Sequence, residues 1–269
     1  MFDSVPKKYI FMNRVLTIGQ DKTWRKKALD LIEPRGGDKI LDICTGTGDL
    51  ALKIAENFPY SKVYAIDFSP KMLDHAKRRA RDLKVRNITF IECDCTNMGF
   101  SSNHFDYITI SFGFRNLSYS KENLRKSLKE VYRVLKNGGR FVILETSQPE
   151  NAFMKNSFHF YAARIVPKIG TLLSGQRAPY AYLGTSIVKF LDRDELDDIL
   201  SSSGFKIEKA ISFMFGMISL WMFKKDEKFK EEFTSHSDCT FCPDSSSMQF
   251  QNTFAYRQSQ TAPAIPAFF

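Results

Sequence analysis

The fold of this chain is decided by the stretch Lys39-Ile40-Leu41-Asp42-Ile43-Cys44-Thr45-Gly46-Thr47-Gly48-Asp49. Its apolar beginning, residues 40–43, predicts a buried strand of a parallel sheet. Gly46 and Gly48 lack side chains and so let the backbone approach a ligand closely. Helical periodicity begins at Leu50, and Asp49 is suited to cap that helix or to occupy its first turn. Strand, glycine turn and helix predict the first unit of a nucleotide-binding, doubly wound sheet, although many strand–helix joints use glycine only to make the turn.

An acidic residue follows the second predicted strand, residues 62–66. Asp67 comes nineteen residues after Gly48. At that spacing a carboxylate can accept hydrogen bonds from both hydroxyls of a ribose lying across the glycine turn. An Asp at a strand end also commonly caps the next helix, but here Ser69 and Pro70 can do this. A cofactor that contains a nucleoside is the favoured interpretation.

The charges around the glycine turn indicate which nucleoside cofactor is bound. A dinucleotide carries a pyrophosphate, which favours a helix N-terminus without nearby acids. Here Asp42 and Asp49 flank the turn, so a cofactor with a cationic end and no phosphate fits better. S-adenosylmethionine, with its ammonium and sulfonium groups, is such a cofactor. We predict that Asp42 faces this positive end and that Gly46, Thr47 and Gly48 form the turn beside it. The alternative for Asp42 is a strand-end residue bonded to the loop backbone.

Two further predicted strands end beside polar residues. A third strand, residues 88–91, is followed by Asp94 and Cys95. Asp94 is placed to accept a hydrogen bond from the adenine amino group, and Cys95 to donate one from its backbone N–H. Ser111 directly follows a fourth strand, residues 105–110. These positions extend the predicted cofactor site along one edge of the sheet.

The rest of the chain completes this sheet. The pattern predicts a helix over residues 124–135, ended by the glycines of 136–139, and a fifth strand over 140–144. Strands at about 205–213 and 217–223 form a hairpin. Strands alternate with helices five times before the hairpin, as in a right-handed parallel sheet. We predict an α/β fold with a mostly parallel seven-stranded sheet, helices on both faces and an antiparallel C-terminal hairpin.

The composition is that of an ordinary globular protein, with 43% hydrophobic and 26% charged residues. Its five cysteines show no secreted disulfide framework, which favours a reducing compartment. Cys93 and Cys95 alternate on a strand and so point to opposite faces, and no metal site is predicted there. The longest uncharged apolar stretch, residues 210–223, is shorter than the roughly 20 residues that a membrane span needs.

The charge of the chain is unevenly distributed. The net charge is +9, and since residues 231–269 carry −3, residues 1–230 carry +12. A basic surface suits either a nucleic acid or an anionic membrane face. Its densest part falls on a predicted helix over residues 70–83, for which a solvated helix face is the simpler interpretation.

Motifs spread over residues 1–225 are similar to those of one enzyme family. They are Phe2-Asp3-Ser4-Val5 with Tyr9 and Met12-Asn13, residues 41–49, Ile110-Ser111-Phe112-Gly113-Phe114-Arg115-Asn116, Ser157-Phe158-His159, Pro167-Lys168-Ile169-Gly170, and Tyr182-Leu183 with Ser186-Ile187. In these motifs the chain resembles the S-adenosylmethionine-dependent C-methyltransferases of ubiquinone and menaquinone biosynthesis. The glycine turn is generic to methyltransferases, whereas residues 113–116 and 182–187 are more specific. The chain differs from the family at Ile10, where an Asp is usual, and at Thr45, where glycine is frequent.

This resemblance implies a Rossmann-like class I methyltransferase that methylates a ring carbon of a polyprenylated quinol. The reaction would convert demethylmenaquinol to menaquinol, methylate 2-methoxy-6-polyprenyl-1,4-benzoquinol, or do both. The family's cofactor contacts fall on Thr47, Asp67, Asp94, Cys95 and Ser111.

The main requirement of this reaction is that the enzyme aligns its two substrates. A ring carbon beside a deprotonated quinol hydroxyl is a nucleophile and the sulfonium methyl is already activated, so the enzyme must align carbon, methyl and sulfur. We predict that Arg115 stabilises the phenolate electrostatically, that Asn116 orients the same oxygen or a bridging water, and that His159 is the base. The alternatives are that Arg115 and Asn116 stabilise their loop through backbone bonds and that His159 is structural.

The predicted organisation is a methyltransferase domain over residues 1–230 and a disordered tail. Residues 1–35 form lid helices, and the apolar insertion 150–190 holds the prenyl tail, with an ordinary lid core as its alternative. Residues 231–269 lack helical or strand periodicity, which predicts disorder. They contain half of a zinc-binding pattern and no second half.

Other functions remain as alternatives. A nucleic-acid methyltransferase is supported only by the positive charge, because residues 111–114 lack the acid or amide, prolines and aromatic that grip a flipped base. No nucleic-acid partner is therefore predicted. Two further alternatives are a methyltransferase of another lipid-like molecule and a catalytically inactive S-adenosylmethionine-binding protein. We expect a cytoplasmic protein in peripheral contact with the inner face of an anionic cell membrane, with a homodimer left open.

Overall fold

The computed structural model describes residues 17, 19–118, 120–175, 178–227 and 229. They belong to one compact unit, Met1–Thr234, and a second unit, Ser235–Phe269, lies wholly outside the described residues. The predictions for residues 1–16 and for the tail 231–269, including its disorder and its partial zinc pattern, therefore concern parts of the chain that are not described.

A seven-stranded sheet forms the centre of the described fold. Its strands are β1 (Lys39–Ile43), β2 (Lys62–Asp67), β3 (Ile88–Glu92), β4 (Phe105–Ser111), β5 (Leu135–Thr146), β6 (Phe205–Phe213) and β7 (Ile218–Lys225). They lie in the order β3-β2-β1-β4-β5-β7-β6. The pairs among β1 to β5 are parallel, and β7 pairs antiparallel with both β5 and β6. The predicted mostly parallel sheet with an antiparallel C-terminal hairpin is confirmed.

Helices flank this sheet. They are α1 (Asp21–Leu29), α2 (Asp49–Asn57), α3 (Pro70–Asp82), the short α4 (Phe114–Leu117), α5 (Lys121–Val134), α6 (Ala152–Phe160), α7 (Val166–Ser174), α8 (Ala178–Val188) and α9 (Arg193–Ser201). A π-helical turn, Tyr161–Ile165, joins α6 to α7, and a 3₁₀ turn, Met214–Gly216, joins β6 to β7. In the part of the chain that is described, no helix has the length and apolarity needed to cross a bilayer.

Two details of the predicted alternation are wrong. Residues 93–104, all of them described, connect β3 to β4 without a helix. This segment is rich in Asn, Ser, Asp and Gly, whose side chains or flexibility favour turns over a helical period. Helix and strand thus alternate less regularly than the sequence pattern indicated.

The second correction concerns the end of α5. The helix stops at Val134, and Leu135 is already extended and belongs to β5. The predicted glycine cap, residues 136–139, lies inside that strand. Leu135 is fully buried and aligned with Phe105 of β4. Because Leu135 is buried in the sheet, the chain passes from helix to strand one residue before the predicted helix end, and the glycines lie at an irregularity in the register of β5 with β4.

Apolar side chains pack on both faces of the sheet. One cluster joins Leu124 and Leu128 of α5 to Phe141 of β5, and another joins Trp24 of α1 and Ile54 of α2 to the strands. The predicted helices on both faces are confirmed. The turns that follow the carboxyl ends of the parallel strands are where ligands bind in open α/β sheets.

The segment between β5 and α9 folds into its own small helical group. Phe158, Ala162 and Ile187 form its apolar centre. The helices approach closely, because a Cβ built at Gly184 would overlap the carbonyl oxygen of Ala162. This group corresponds to the predicted apolar insertion, residues 150–190.

Candidate functional site

A cavity of about 330 Å³ lies at the carboxyl ends of the first four strands. It opens between β1 and β4, where the strand order reverses, which is the expected binding position in a doubly wound sheet. The predicted cofactor residues that line it are Asp42, Gly46, Thr47, Asp67, Asp94, Cys95 and Ser111. Gly48 is the one predicted cofactor residue that is not in its lining.

The two glycines of the turn have different tasks. Gly48 caps α2 in a left-handed conformation, with φ 76°, and a Cβ there would lie 3.0 Å from the Cβ of Ala76 in α3. Gly46 also has a positive φ, of 55°, but a Cβ there would meet nothing within 4 Å. Gly48 therefore allows helix packing, whereas Gly46 leaves open space beside the cavity.

Asp67 connects the end of β2 to the glycine turn. Its carboxylate accepts hydrogen bonds from the N–H groups of Gly46, at 2.7 Å, and Ser69, at 3.0 Å. Ser69 itself caps α3 by accepting from Met72, so the predicted alternative cap is confirmed. Each carboxylate oxygen can accept more than one hydrogen bond, so Asp67 is held in place and can still accept from a ribose hydroxyl.

Asp42 is a buried acid at the wall of the cavity. Its two carboxylate oxygens accept hydrogen bonds from the hydroxyls of Thr45 and Thr109, each at 2.6 Å. These are side-chain partners and not the loop backbone of the alternative interpretation. Burial raises the pKa of Asp42 to about 6, against the opposing effect of the two threonine hydroxyls. The acid is therefore poised to ionise near neutral pH, where a neighbouring cation would favour its charged form.

The second flanking acid, Asp49, already has cationic partners. Its carboxylate accepts from Nη1 of Arg79 at 2.7 Å, and Nη2 of Arg25 lies 3.9 Å away. Burial alone would raise the pKa of Asp49, but the attraction of Arg25 and Arg79 outweighs it and the pKa lies below its ordinary value. Asp49 was predicted, with Asp42, to flank the turn and favour a cationic ligand end, but α1 and α3 bring two arginines to Asp49 that balance its charge.

Asp94 and Cys95 form the far wall of the cavity. The Asp94 carboxylate accepts the N–H of Thr96 at 2.8 Å. The Cys95 thiol is buried, and its Sγ lies 3.8 Å from Sγ of Cys44, which directly follows β1. The loop after β3 is thus fixed beside the end of β1.

The residues of this cavity fit S-adenosylmethionine. The Oγ atoms of Ser111 and Ser127 are buried without a hydrogen-bond partner among the described residues, and both serines line the cavity. Buried polar atoms are nearly always hydrogen-bonded, so unpartnered hydroxyls at a cavity wall indicate a ligand with polar atoms. Asp67 and Asp94 offer carboxylate oxygens to its hydroxyl and amino groups, and Asp42 offers a charge to its cationic end.

A second cavity, of about 310 Å³, adjoins the first. Its lining is mostly apolar and comes from α1, the helical insertion and the turn before β7. The apolar lining residues are Trp24, Phe112, Phe158, Tyr161, Val166, Leu183, Ile187, Met214, Met217 and Ile218. Arg25 and Phe112 line both cavities, and the Arg25 guanidinium carbon lies 5.3 Å from the centre of the Phe112 ring.

Arg115 lines the apolar cavity, and an ion pair with Glu145 holds it in place. Its Nη1 donates to Oε1 of Glu145 at 2.5 Å, and its backbone N–H donates to Oε2 at 3.3 Å. Glu145 is fully buried. Gly113 precedes this arrangement, and a Cβ there would come within 2.7 Å of the Cβ of Cys44, which explains the glycine of the Gly-Phe-Arg-Asn motif. Arg115 is anchored by Glu145 rather than only by backbone bonds.

The other two predicted catalytic residues lie apart. Asn116 lines the cofactor cavity, and its Oδ1 is 3.5 Å from the hydroxyl of Tyr182. His159 is not among the described residues that line either cavity. Its Nε2 lies 2.7 Å from Oε1 of Gln148, whose amide donates to the carbonyl of Ile187. Burial, and secondly the charge of Lys155, lower the pKa of His159. These contacts match the structural alternative for His159.

Several residues of the site were not predicted from the sequence. Arg25 and Trp24 lie within α1 and not in a turn after a strand. Their adjacent aromatic and basic side chains were a local signal, as was the position of Glu145 directly after the predicted fifth strand, residues 140–144.

Comparison with known proteins agrees with this geometry. The model of the ubiE/COQ5 methyltransferase family matches residues 1–225. A demethylmenaquinone methyltransferase of Thermus thermophilus is 39% identical over 77% of this chain and 92% of its own length. A ubiquinone/menaquinone biosynthesis C-methyltransferase of Geotalea daltonii is 38% identical over 84% of this chain and 94% of its own. A crystal structure of a SAM-dependent methyltransferase from Aquifex aeolicus has a TM-score of 0.56 at 18% identity, covering 79% of this chain and 95% of that one, which is a likeness of fold.

Proposed function

The chain belongs to the ubiE/COQ5 methyltransferase family, and we propose that its two adjoining cavities hold the methyl donor and a prenylated quinol. It is an S-adenosylmethionine-dependent C-methyltransferase of menaquinone or ubiquinone biosynthesis. The observation that carries the proposed division is that a cavity with acids and hydroxyls at the glycine turn and a mostly apolar cavity share Arg25 and Phe112. A group in the first cavity can thus meet a group in the second.

The donor side of the site works mainly by binding and orientation. S-adenosylmethionine supplies a methyl group already activated by its sulfonium. Asp67 accepts from the ribose hydroxyls, and Asp94 and the Cys95 N–H bind the adenine. Asp42 balances the cationic end, and the unpartnered hydroxyl of Ser111 receives a hydrogen bond there. These contacts fix the direction in which the methyl group faces the acceptor.

The acceptor side favours an ionised quinol. A guanidinium beside a hydroxyl stabilises the phenolate and so lowers the pKa of that hydroxyl. Arg115 has donors beyond the one that it gives to Glu145, and the ion pair keeps it oriented toward the apolar cavity. Asn116 orients the same oxygen from the cofactor side. This arrangement lowers the need for a dedicated base, which is consistent with the position of His159 outside both linings.

The first substrate that we propose is a demethylmenaquinol. The names of the Thermus thermophilus and Geotalea daltonii relatives both include menaquinone. The bicyclic naphthoquinol ring and its prenyl tail are apolar enough for the lining of Trp24, Phe158 and Leu183. A benzoquinol is the second candidate, because the Geotalea daltonii relative is also named for ubiquinone.

We also propose where the reaction takes place. A polyprenyl tail partitions into a bilayer, and the chain has a net charge of +9, which attracts it to anionic lipid. The inner face of the cell membrane, reached from the cytoplasm, is the site that suits both. Whether the chain forms a homodimer is tested by the light scattering described below.

The experiment that tests this function uses the purified chain with methyl-deuterated S-adenosylmethionine. Short-tailed demethylmenaquinol, a short-tailed 2-methoxy-benzoquinol and RNA are offered separately, and mass spectrometry locates the label. We expect deuterium on a ring carbon of the naphthoquinol. The variant Asp67→Asn should lose most of this activity, whereas Asp74→Asn, an exposed acid on α3, should not. Label on oxygen, or only on RNA, would contradict the proposal.

A further inference from the structure

An unusual number of large apolar side chains is exposed around the apolar cavity. Phe153 and Phe160 of α6 are 76% and 62% exposed, and Met214 and Phe215 of the turn before β7 are 47% and 80% exposed. We call these four residues the aromatic rim. Single exposed apolar side chains are ordinary, but a group of them indicates an interaction surface.

The members of the aromatic rim lie in two segments that meet at the same cavity. Phe153, Ser157 and Phe160 have the spacing of one helix face, and Ser157 lines the apolar cavity. Met214 lines it as well. The turn also lies against the start of the insertion, because a Cβ built at Gly216 would be 3.3 Å from Cα of Pro149. The rim therefore borders the apolar cavity from two sides.

The turn before β7 exposes the Phe215 ring in an unfavourable backbone conformation. Met214 and Phe215 are consecutive and both have a positive φ, of 49° and 57°. This conformation is unfavourable for residues with a Cβ. A strained turn that exposes an aromatic ring is a feature to be explained by function, since folding alone would favour burying the ring.

The charge of the insertion shows which partner suits this rim. Residues 150–190 contain five basic residues and a single acid, Glu150. Arg164, Lys168 and Lys189 are exposed. Apolar side chains accompanied by exposed cations are the pattern of a surface that inserts into the headgroup region of an anionic bilayer.

We propose that the aromatic rim is the face by which this chain docks on an anionic lipid bilayer. The inference rests on the proposed function, because a prenylated acceptor would then pass from the bilayer directly into the cavity that the rim borders. Aromatic and thioether side chains enter the acyl boundary, and the basic residues of the insertion contact the headgroups. The partner is thus a lipid surface and not a second protein.

The test measures vesicle binding in the absence of any quinol. The full chain is sedimented with vesicles of phosphatidylglycerol and phosphatidylcholine, or of phosphatidylcholine alone. We expect binding to the anionic vesicles that weakens with salt. The double variant Phe153→Ser/Phe215→Ser should bind them about tenfold more weakly or worse, since two aromatic side chains no longer leave water. Neither residue is among the described residues that line the two cavities.

The matched control is Tyr60→Ser. Tyr60 is 84% exposed but lies before β2, at the opposite edge of the sheet, so its loss should leave vesicle binding unchanged. Binding of S-adenosylhomocysteine by calorimetry shows that each variant is folded. The double variant should still methylate a short-tailed quinol in detergent at the normal rate.

Three outcomes would overturn the proposal. The first is that the double variant binds anionic vesicles as well as the unmodified chain does, and the second is that the unmodified chain binds no vesicles. The third is light scattering that shows a dimer which the double substitution dissociates, in which case a second copy covers the rim. Failure of the proposed function is a different result, because it appears as absent methylation of the short-tailed quinol while vesicle binding persists.

Discussion

Asp42 shows how one buried carboxyl couples the fold to its ligand. Folding raises the pKa of this group from 3.8 to about 6. The folded protein therefore holds the proton more tightly than the unfolded chain does. The stability that results is complete below a pH of about 4 and is lost as the pH rises through about 6, a difference on the order of 3 kcal/mol. Above that pH the ionised acid is a cost to the fold, because its burial outweighs the favourable charge of Arg25.

The first prediction is that S-adenosylmethionine binds more tightly as Asp42 ionises. Between about pH 5 and pH 7 its affinity should rise, because the carboxylate then attracts the cationic end of the ligand. Asp42→Asn should bind more weakly at neutral pH and lose this dependence. Calorimetry across the pH range measures both. Methylthioadenosine, which lacks the amino-acid end, serves as the control ligand, and equal affinity for S-adenosylmethionine at both ends of the range would refute the prediction.

The second prediction concerns the buried pair of Arg115 and Glu145. Glu145→Gln leaves the Arg115 guanidinium without its countercharge, and we expect a loss of roughly 3 kcal/mol in the free energy of unfolding. Glu208→Gln is the matched control, because Glu208 forms a more exposed pair with Arg140 and should cost less than about 1 kcal/mol. Urea unfolding measures both variants. Similar losses for the two would show that the buried pair has no special weight.

Which site residues the sequence could predict depends on how far away their partners lie. Thr47, Asp67 and Ser111 follow predicted strands directly, so the topology alone brings them to one edge. Arg25 could not be foreseen, since its role arises only when α1 meets the site, whereas Glu145 directly follows the predicted fifth strand and carried the same signal as Ser111. The same contacts changed the interpretation of Asp49, whose charge two distant arginines balance.

Among the elements, the strands were the most predictable part of the fold. The central parallel strands β1 and β4 contain apolar runs that are largely buried, which a local pattern reveals, whereas β3 at the edge of the sheet is only partly buried. The connection from β3 to β4 and the end of α5 were not, because there the burial of residues such as Leu135 competes with local turn preferences. Sequence patterns therefore predicted the layers of the molecule better than the points at which its elements begin and end.

The third prediction tests the helical insertion as a separate element. Gly184→Ala would drive a methyl group into the carbonyl oxygen of Ala162, so α8 must move away from the π-helical turn. We expect a higher KM for the quinol and unchanged affinity for S-adenosylhomocysteine, since α8 contributes Leu183 and Ile187 to the apolar cavity and nothing to the other lining.

A matched control for this change is Gly36→Ala. A Cβ at Gly36 would meet nothing within 4 Å, so this variant should behave like the unmodified chain in both measurements. Kinetics with a short-tailed quinol and calorimetry with S-adenosylhomocysteine provide the two readouts. If Gly184→Ala weakens both ligands equally, the insertion is not an independent element of the site.

At the scale of the whole molecule, the sheet and the insertion contribute different chemistry to one reaction. The carboxyl edge of the sheet supplies the acids and hydroxyls of the cofactor cavity, and the insertion with α1 supplies the apolar walls. Arg25 and Phe112 stand where the two meet. This arrangement explains why the family match extends from residue 1 to residue 225, across both contributions.

The fourth prediction is that the chain needs nothing after its first compact unit for methylation. The family match ends at residue 225, where β7 also ends. The chain should nevertheless be cut after Thr234 and not earlier, because the backbone carbonyl of Asp226 accepts a hydrogen bond from the hydroxyl of Tyr132 at 2.9 Å and the Phe229 ring packs against Tyr132.

We expect residues 1–234 to keep the melting temperature and the methylation rate of the full chain. Residues 1–217, which lack the strand between β5 and β6, should not fold cooperatively. Calorimetric melting and the deuterium assay decide the matter, and a loss of activity in residues 1–234 at an unchanged melting temperature would assign the last 35 residues a part in the reaction.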